Sequence, residues 1–264
     1  MTGYGPHPRT ESYCRDLTSI LEYNTTDQRE EKATPDTLAR AVKEVAEKEI
    51  QTGRLPGMAV GVLLNNKVAY FHGYGVAQGF DPDHTATSAV SKVEVTENTM
   101  FRWGSVIKTV TATTALRLIE EGKMHLDDNI QTYVGSFPNK TNPGTNVKAV
   151  ITPRYLLCHE SGLPHYPDKA FIKKDTKYTF VSSDSDPEDV VGAFEQSTLM
   201  FPPGQQFHYS SYGYMLLSAA IESAGGAPFA DVMQQKVMKP LALGSLVIDH
   251  SNAAALPGYA EGYT

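Results

Sequence analysis

A serine and a lysine three residues apart are the side chains of this sequence best suited to covalent chemistry. They are Ser105 and Lys108, in the segment Ser105-Val106-Ile107-Lys108. A serine hydroxyl is a weak nucleophile until a base takes its proton. If the segment is helical, residues at i and i+3 share one face, so the lysine Nζ can reach the serine Oγ. The spacing therefore indicates acyl transfer from an activated serine.

Lys108 can act as that base only as a neutral amine. Burial removes the water that stabilises an ammonium ion, and the positive end of a helix dipole disfavours it further. The preceding Gly104 allows a sharp turn of the backbone into the helix. The backbone N–H of Ser105 can then serve as an oxyanion donor. Against this interpretation, Ser-x-x-Lys occurs by chance about once in a chain of this length.

The elements before this segment predict an α/β layer. Apolar residues at helical spacing predict a helix over 35–51. Two apolar runs, 57–64 and 68–71, flank the turn residues Asn65-Asn66 and predict a β-hairpin. Residues 78–98 are polar and rich in turn-forming types, so we expect a loop there.

The elements after Gly104 are predicted to be mostly helical. The segment from Ser105 to Glu121 is apolar all round, which predicts a buried helix. Thr152 and Pro153 are typical of an N-cap and a first helical residue, for a helix that ends by Glu160. Two more helices are predicted over 212–224 and 228–238, and loops over 135–150 and 173–187.

Three segments follow from this pattern. They are an N-terminal extension over 1–33, the N-terminal part of an α/β domain over 34–104, and the nucleophile helix with a mostly helical subdomain over 105–264.

Composition narrows the function classes. The chain has 264 residues, a formal net charge of −7 and 41% hydrophobic residues, which allows a sizeable core. An acidic balance argues against nucleic acid as a partner. No apolar run approaches the ~18 residues of a membrane span. The first ten residues lack the apolar core of a signal peptide. The compartment is therefore cytoplasmic if the N-terminus is native, and mitochondrial or periplasmic if a leader was removed.

Cysteine and metal-ligand patterns are sparse. Cys14 and Cys158 are the two cysteines, and two free thiols are expected rather than a disulfide. His159 and His165 favour a structural turn over a metal site, and Asp127-Asp128 favours capping. No metal and no organic cofactor is expected.

Four segments, in order along the chain, resemble the serine β-lactamase-related family of hydrolases, whose members are similar to penicillin-binding proteins. The family includes class C β-lactamases, DD-peptidases and related esterases, and Ser-x-x-Lys is a signature of closely related enzymes. Within it, the segments look closest to the mitochondrial serine β-lactamase-like proteins and their bacterial relatives. The matching segments are MFRWGSVIK at 100–108, EEGK and LDD within 120–128, ITPRYLLCHESGL at 151–163 and FPPGQQFHYSS at 201–211.

The resemblance implies a β-lactamase/DD-peptidase-like fold, α/β plus all-α, in which an antiparallel sheet is flanked by helices and joined to a helical subdomain. It implies hydrolysis of small peptides or esters through an acyl-enzyme on Ser105. It also implies that Tyr209 lies beside Ser105 and Lys108 and moves a proton; from the residues alone, Tyr209 is a loop aromatic. Where the family has Asn two positions after this tyrosine, the chain has Ser211, a shorter donor for the same contact with the substrate carbonyl.

The sequence departs from the family at the third active-site motif, which in the family is Lys-Thr-Gly or His-x-Gly on a strand. Nothing after Ser211 matches it, and His250-Ser251-Asn252 does not. Residues 260–263 resemble the point where the family's chain returns to its sheet, so the C-terminal strands are expected to be missing. A truncated chain, half of a split protein and a naturally short inactive form stay open as explanations.

Three functions accordingly remain open. They are a hydrolase of small-molecule or peptide substrates, a binding or assembly module, and a true β-lactamase. A homo-oligomer or a complementing C-terminal chain remains open as a partner.

Overall fold

The computed structural model describes residues 35–52, 55–79, 91–168, 170, 191–192, 194–248 and 258–261. Among these, residues 104–248 form one compact unit, here the helical unit. Residues 35–103 and 258–261 form the other, here the sheet unit. The predicted extension over 1–33 and the predicted loop over 173–187 lie outside the described residues. The predicted segment boundaries stay a prediction.

The sheet unit begins with the predicted helix and hairpin. Helix α1 spans Pro35–Gln51, and strands β1 (Gly57–Leu64) and β2 (Lys67–Gln78) pair antiparallel. Between them, Asn65 and Asn66 have φ of 50° and 59°. A two-residue hairpin loop of the primed type needs positive φ at both positions, and Asn tolerates it better than most residues. The sequence prediction for this region is confirmed.

The sheet contains a third strand that the sequence pattern does not predict. Strand β3 (Val93–Glu94) pairs with β2, so the order in the sheet is β1-β2-β3. It falls within the predicted loop over 78–98, which is therefore wrong at these two residues, because a strand so short carries no alternating pattern. The strands approach closely here: a Cβ on Gly73 would lie 2.2 Å from the Val95 carbonyl oxygen.

Residues 258–261 complete the sheet unit. The Met100 N–H donates to the Gly258 carbonyl at 2.8 Å, and the Ala260 N–H donates back to the Met100 carbonyl at 2.9 Å. The Glu261 N–H donates to the Ala77 carbonyl at 2.9 Å. The part of the chain expected to return to the sheet thus lies against this unit.

The helical unit contains helices α2 to α5. A 3₁₀ turn, Gly104–Ile107, leads into α2 (Lys108–Glu120). Helices α3, α4 and α5 span Pro153–Leu157, Ser211–Gly225 and Phe229–Met233, and a π-helical turn continues α5 over Gln234–Met238. Their apolar faces form the main core, which contains Leu118, Phe137, Leu156, Phe194, Leu216 and Ile221.

The nucleophile helix differs from its prediction in two ways. Its first turn is 3₁₀, and its α-helical part starts at Lys108 instead of Ser105. It is also not buried all round, since Val106 is 58% exposed and Leu116 is 50% exposed. Only the face that carries Val110, Thr114 and Leu118 is buried.

The other helix signals are confirmed, with small shifts at their ends. The Thr152 hydroxyl accepts the Tyr155 N–H at 3.3 Å and Pro153 opens α3, although α3 is shorter than predicted. Helix α4 ends at Gly226, whose φ is 69°. Within the predicted loop over 135–150, strands β4 (Lys140–Thr141) and β5 (Lys148–Ala149) form a short hairpin, so the loop prediction is wrong there.

Cys158 is disulfide-bonded in the structure. The expectation of two free thiols is therefore wrong, because burial and spacing in a sequence do not reveal which residues meet. Cys14 lies outside the described residues. None of the helices in the described ranges combines the length and apolar content that a bilayer span requires.

Candidate active site

The 3₁₀ turn at the start of α2 places Ser105 and Lys108 against each other. A 3₁₀ helix has three residues per turn, so side chains at i and i+3 eclipse. Lys108 Nζ accordingly donates to Ser105 Oγ at 3.2 Å. Gly104 has a φ of +51°, a left-handed conformation that glycine adopts at little cost. Ser105 is exposed, so its hydroxyl is open to a substrate.

Tyr209 reaches the same hydroxyl from the extended segment before α4. Its Oη donates to Ser105 Oγ at 2.6 Å. Lys108 Nζ lies 5.0 Å from the centre of the Tyr209 ring and 5.7 Å from that of Tyr214, within the range of cation–π attraction. Ser105 Oγ therefore accepts hydrogen bonds from both Lys108 and Tyr209, and these two side chains also contact each other.

The two tyrosines beside Lys108 have different environments. Burial raises the pKa of Tyr214, and its Oη donates to the Leu157 carbonyl at 3.1 Å. Burial also acts to raise the pKa of Tyr209, but the contacts with Lys108, Ser105 and Ser211 and the positive charge of Lys108 outweigh it. The pKa of Tyr209 is therefore held below its ordinary value. Only Tyr209 is connected to Ser105.

Ser211 is the first residue of α4 and is buried. Its side chain is near enough to Tyr209 to help lower the pKa of that phenol, and its peptide N–H donates to His165 Nδ1 at 3.4 Å. The structure therefore brings together all four residues that the sequence singled out. The contact of Ser211 with a substrate stays a prediction.

Two histidines beside Tyr209 were not assigned to the site from the sequence. The ring of His159 lies 4.5 Å from that of Tyr209 and the ring of His165 lies 5.2 Å from it, centre to centre. Both had been interpreted as parts of a structural turn. No spacing rule links them to a tyrosine so far along the chain, so only the folded structure reveals the contact.

A second pair of ionisable groups supports the loop around this tyrosine. His208 Nε2 lies 2.7 Å from Asp168 Oδ2, which also accepts the His165 N–H at 2.6 Å. Burial acts to raise the pKa of Asp168, but the His165 N–H and His208 outweigh it and lower that pKa. Asp168 is thus favoured as a carboxylate that holds two segments together.

The site shows acid–base groups rather than metal ligands. Within the described ranges, no cluster of His, Cys, Asp or Glu is arranged to hold a metal ion. Among the same residues, no carboxylate forms an ion pair with Lys108. The arrangement can activate a hydroxyl and move its proton.

Comparison with known proteins identifies a family and several relatives. The family model described as Beta-lactamase matches residues 37–264. The putative D-alanyl-D-alanine carboxypeptidase of Escherichia coli O157:H7 is 27% identical over 198 residues, which are 74% of this chain and 43% of that protein. The serine beta-lactamase-like protein LACTB, mitochondrial, of Homo sapiens is 27% identical over 237 residues, with 68% of this chain and 41% of that protein covered.

A solved structure extends the likeness to the fold. EstCE1, a hydrolase with promiscuous acyltransferase activity, superposes with a TM-score of 0.64 at 26% identity and covers 79% of this chain and 52% of its own. The match to the Beta-lactamase family model over residues 37–264 confirms the predicted β-lactamase/DD-peptidase-like fold. The chain spans about two fifths of the length of the two curated relatives and about half of the solved one.

Proposed function

The chain belongs to the beta-lactamase family, and we propose that it is a serine hydrolase that cleaves small amide or ester substrates through an acyl-enzyme on Ser105. The position of Ser105 Oγ carries the proposal, since it lies 2.6 Å from Tyr209 Oη and 3.2 Å from Lys108 Nζ. Activation of a serine requires a proton acceptor at such a distance.

In the acylation step, Ser105 Oγ forms a bond to the substrate carbonyl carbon, and its proton passes to the pair formed by Lys108 and Tyr209. The tetrahedral intermediate then breaks its bond to the leaving amine or alcohol. The leaving group takes the proton back from the same pair. We propose the backbone N–H of Ser105 as a donor to the oxyanion and Ser211 as the substrate-binding residue.

We assign this role to Lys108 and Tyr209 together, because both contact Ser105 Oγ and each other, and we propose that the pair carries one proton to transfer. One distribution is a phenolate beside an ammonium ion, and the contacts with Lys108 act in its direction because they lower the pKa of Tyr209. The other distribution is a phenol beside an amine. Either form holds one base next to Ser105 Oγ, and the contact between the two groups allows the proton to move from one to the other.

Deacylation completes the cycle. A water molecule attacks the ester carbonyl of the acyl-enzyme and loses its proton to the same pair. The bond between the acyl carbon and Ser105 Oγ breaks, and the serine recovers a proton. The names of two relatives, a D-alanyl-D-alanine carboxypeptidase and a hydrolase with acyltransferase activity, support peptide and ester substrates.

The test is intact-mass analysis after treatment with a fluorophosphonate probe. We expect one adduct on the parent and none on Ser105→Ala. Tyr209→Phe is expected to slow labelling about 100-fold or more, the usual contribution of a proton-transfer group. Tyr214→Phe is the matched control and should stay within about threefold. A folded parent without an adduct would refute the proposal.

A binding or assembly module is the second candidate. Such a module would bind peptides without turning them over and would give no adduct. A true β-lactamase is distinguished from a peptidase or esterase by whether it turns over a penicillin or is trapped by it as a stable acyl-enzyme.

A further inference from the structure

The two peptide groups that follow Tyr209 are both held by histidine rings. The Ser210 N–H donates to His159 Nδ1 at 3.1 Å, and the Ser211 N–H donates to His165 Nδ1 at 3.4 Å. Each hydrogen bond fixes one peptide plane next to the tyrosine. Together they set the direction in which the Tyr209 side chain leaves the backbone.

The same two rings pack against the Tyr209 ring. His159 lies against it at a tilt of 37°, and His165 meets it edge-on at 86°. Tilted and edge-on contacts are the favourable arrangements for aromatic rings. Each histidine therefore contacts the side chain of Tyr209 and also bonds the backbone that follows it.

The loop that carries His159 is itself fixed to the segment before Tyr209. The N–H groups of Met200, Gly204 and His208 donate to the carbonyls of Gly162, Glu160 and His159, each at 2.8 Å. His159 also has a left-handed backbone, with a φ of 58°. A non-glycine residue in that region costs free energy and persists only where its surroundings hold it. The position of His159 is therefore strongly determined.

Both rings have to be neutral for this arrangement. An Nδ1 atom that accepts a hydrogen bond carries no proton, so the proton of each ring is on Nε2. Burial, Lys108 and His165 lower the pKa of His159 to about 4. Burial also lowers the pKa of His165, aided by Lys108 and His208 and opposed by Asp168. The acceptor form of each ring is thus favoured at neutral pH.

We propose that His159 and His165 are positioning residues that hold Tyr209 Oη against Ser105 Oγ by clamping its ring and fixing the two peptide groups that follow it. This rests on the proposed function, in which Tyr209 transfers the proton. Neither histidine is assigned a contact with substrate. Their effect passes through the distance between Tyr209 Oη and Ser105 Oγ, now 2.6 Å.

The first experiment measures the rate of fluorophosphonate labelling of Ser105 in His159→Asn, His159→Ala and His165→Asn. Misplacing a reacting group by about 1 Å costs up to about 100-fold, and we expect His159→Ala to slow labelling by about tenfold or more. Asn keeps an acceptor near the position of Nδ1 and tolerates a left-handed backbone, so His159→Asn should recover part of the rate. His125→Asn, an exposed histidine of the same unit, is the matched control.

The second experiment separates positioning from a general loss of structure. The ionisation of Tyr209 is followed by the difference in tyrosinate absorbance between each protein and its Tyr209→Phe counterpart. The contacts with Lys108, Ser105 and Ser211 lower this pKa, so a tyrosine that has lost its position should titrate at higher pH. The midpoint is expected to rise in both His159 variants and in His165→Asn, and not in His125→Asn.

An unchanged Tyr209 midpoint, or labelling rates equal to the parent in variants with parental circular dichroism, would overturn the inference. A parent that gives no adduct would instead refute the proposed function, whatever the histidine variants do. The titration needs no labelling, so it decides the inference even in that case.

Discussion

The helical unit and the sheet unit differ in how completely they bury their large apolar side chains. Among the residues that the structure describes, the largest fully buried side chains, such as Phe137, Leu118 and Leu216, all belong to the helical unit. In the sheet unit, large apolar residues of α1, β1 and β2 stay exposed. They are Val45, Leu63, Leu64, Val68 and Phe71.

The difference shows where the stability of the described chain resides. Apolar area removed from water contributes roughly 25 cal/mol per Å², so the unit with the enclosed core dominates the free energy of unfolding. The proposed catalytic groups Ser105, Lys108 and Tyr209 all lie in that unit. The proposed chemistry is therefore supported by the better-packed half of the molecule.

The largest change in the free energy of unfolding is expected when one of two leucines, one from each unit, is replaced by alanine. Leu216 in α4 has 0% exposure and Leu63 in β1 has 67%. Leu216→Ala should lower the free energy of unfolding by about 2–5 kcal/mol, since it leaves a cavity. Leu63→Ala should change it by less than about 0.5 kcal/mol.

The measurement is urea denaturation followed by two signals. Far-ultraviolet circular dichroism mostly follows the helical unit, and the fluorescence of Trp103, the one tryptophan of the chain, reports the sheet unit. If Leu216→Ala shifts both transitions equally, the two units unfold together and the comparison fails.

A smaller loss of stability is expected from a substitution at Gly73, where the sheet unit is tightly packed. A Cβ on Gly73 would lie 2.2 Å from the Val95 carbonyl oxygen, whereas one on Gly61 would be 3.5 Å from the Phe71 ring. Gly73→Ala should therefore cost about 1–3 kcal/mol by overpacking, seen as a shift of the Trp103 transition. Gly61→Ala is the control and should be nearly neutral; equal effects of the two substitutions would argue against a close approach at Gly73.

The smallest effect concerns pH and involves His159 of the helical unit. Its pKa falls from 6.5 to about 4 on folding, so between these values the unfolded chain binds a proton that the folded chain does not. The associated stability is present above pH 6.5 and is lost as the pH falls toward 4, by about 1 kcal/mol after allowance for partial exposure.

Thermal unfolding at a series of pH values checks this. The melting temperature of the parent should fall more steeply between pH 6.5 and 4 than that of His159→Asn, which has no proton to bind. Identical slopes for the two proteins would contradict the assigned cause, and His125→Asn should keep the parental slope.

Local signals in the sequence predicted much of the fold. The period of α1, the Asn65-Asn66 turn and the Thr152 cap each depend on neighbouring residues, so they can be recognised without a partner. Strands β3, β4 and β5 have two residues each, and their conformation depends on a distant partner. The 3₁₀ start of α2 was also missed, since a shift of one hydrogen bond leaves no trace in composition.

The candidate site divides in the same way. Ser105 and Lys108 could be paired from their spacing because they lie on one turn. Tyr209 required a resemblance to a family, since nothing near it in the sequence marks it. His159 lies within a matching segment and His165 just after it, but the sequence indicates only a turn for both, because their contacts with Tyr209 join two distant loops.

The hydrogen bonds between Met100 and residues 258–260 have a consequence for the order of folding during synthesis. They join segments on either side of residues 104–248, so these residues form an insertion between two parts of the sheet unit. The entropy lost on closing a loop grows only with the logarithm of its length. An insertion of this length is therefore tolerated. On the ribosome, the helical unit emerges completely before residues 258–261. We therefore expect the sheet unit to be the last to finish folding, although β1, β2 and β3 are synthesised before residues 104–248.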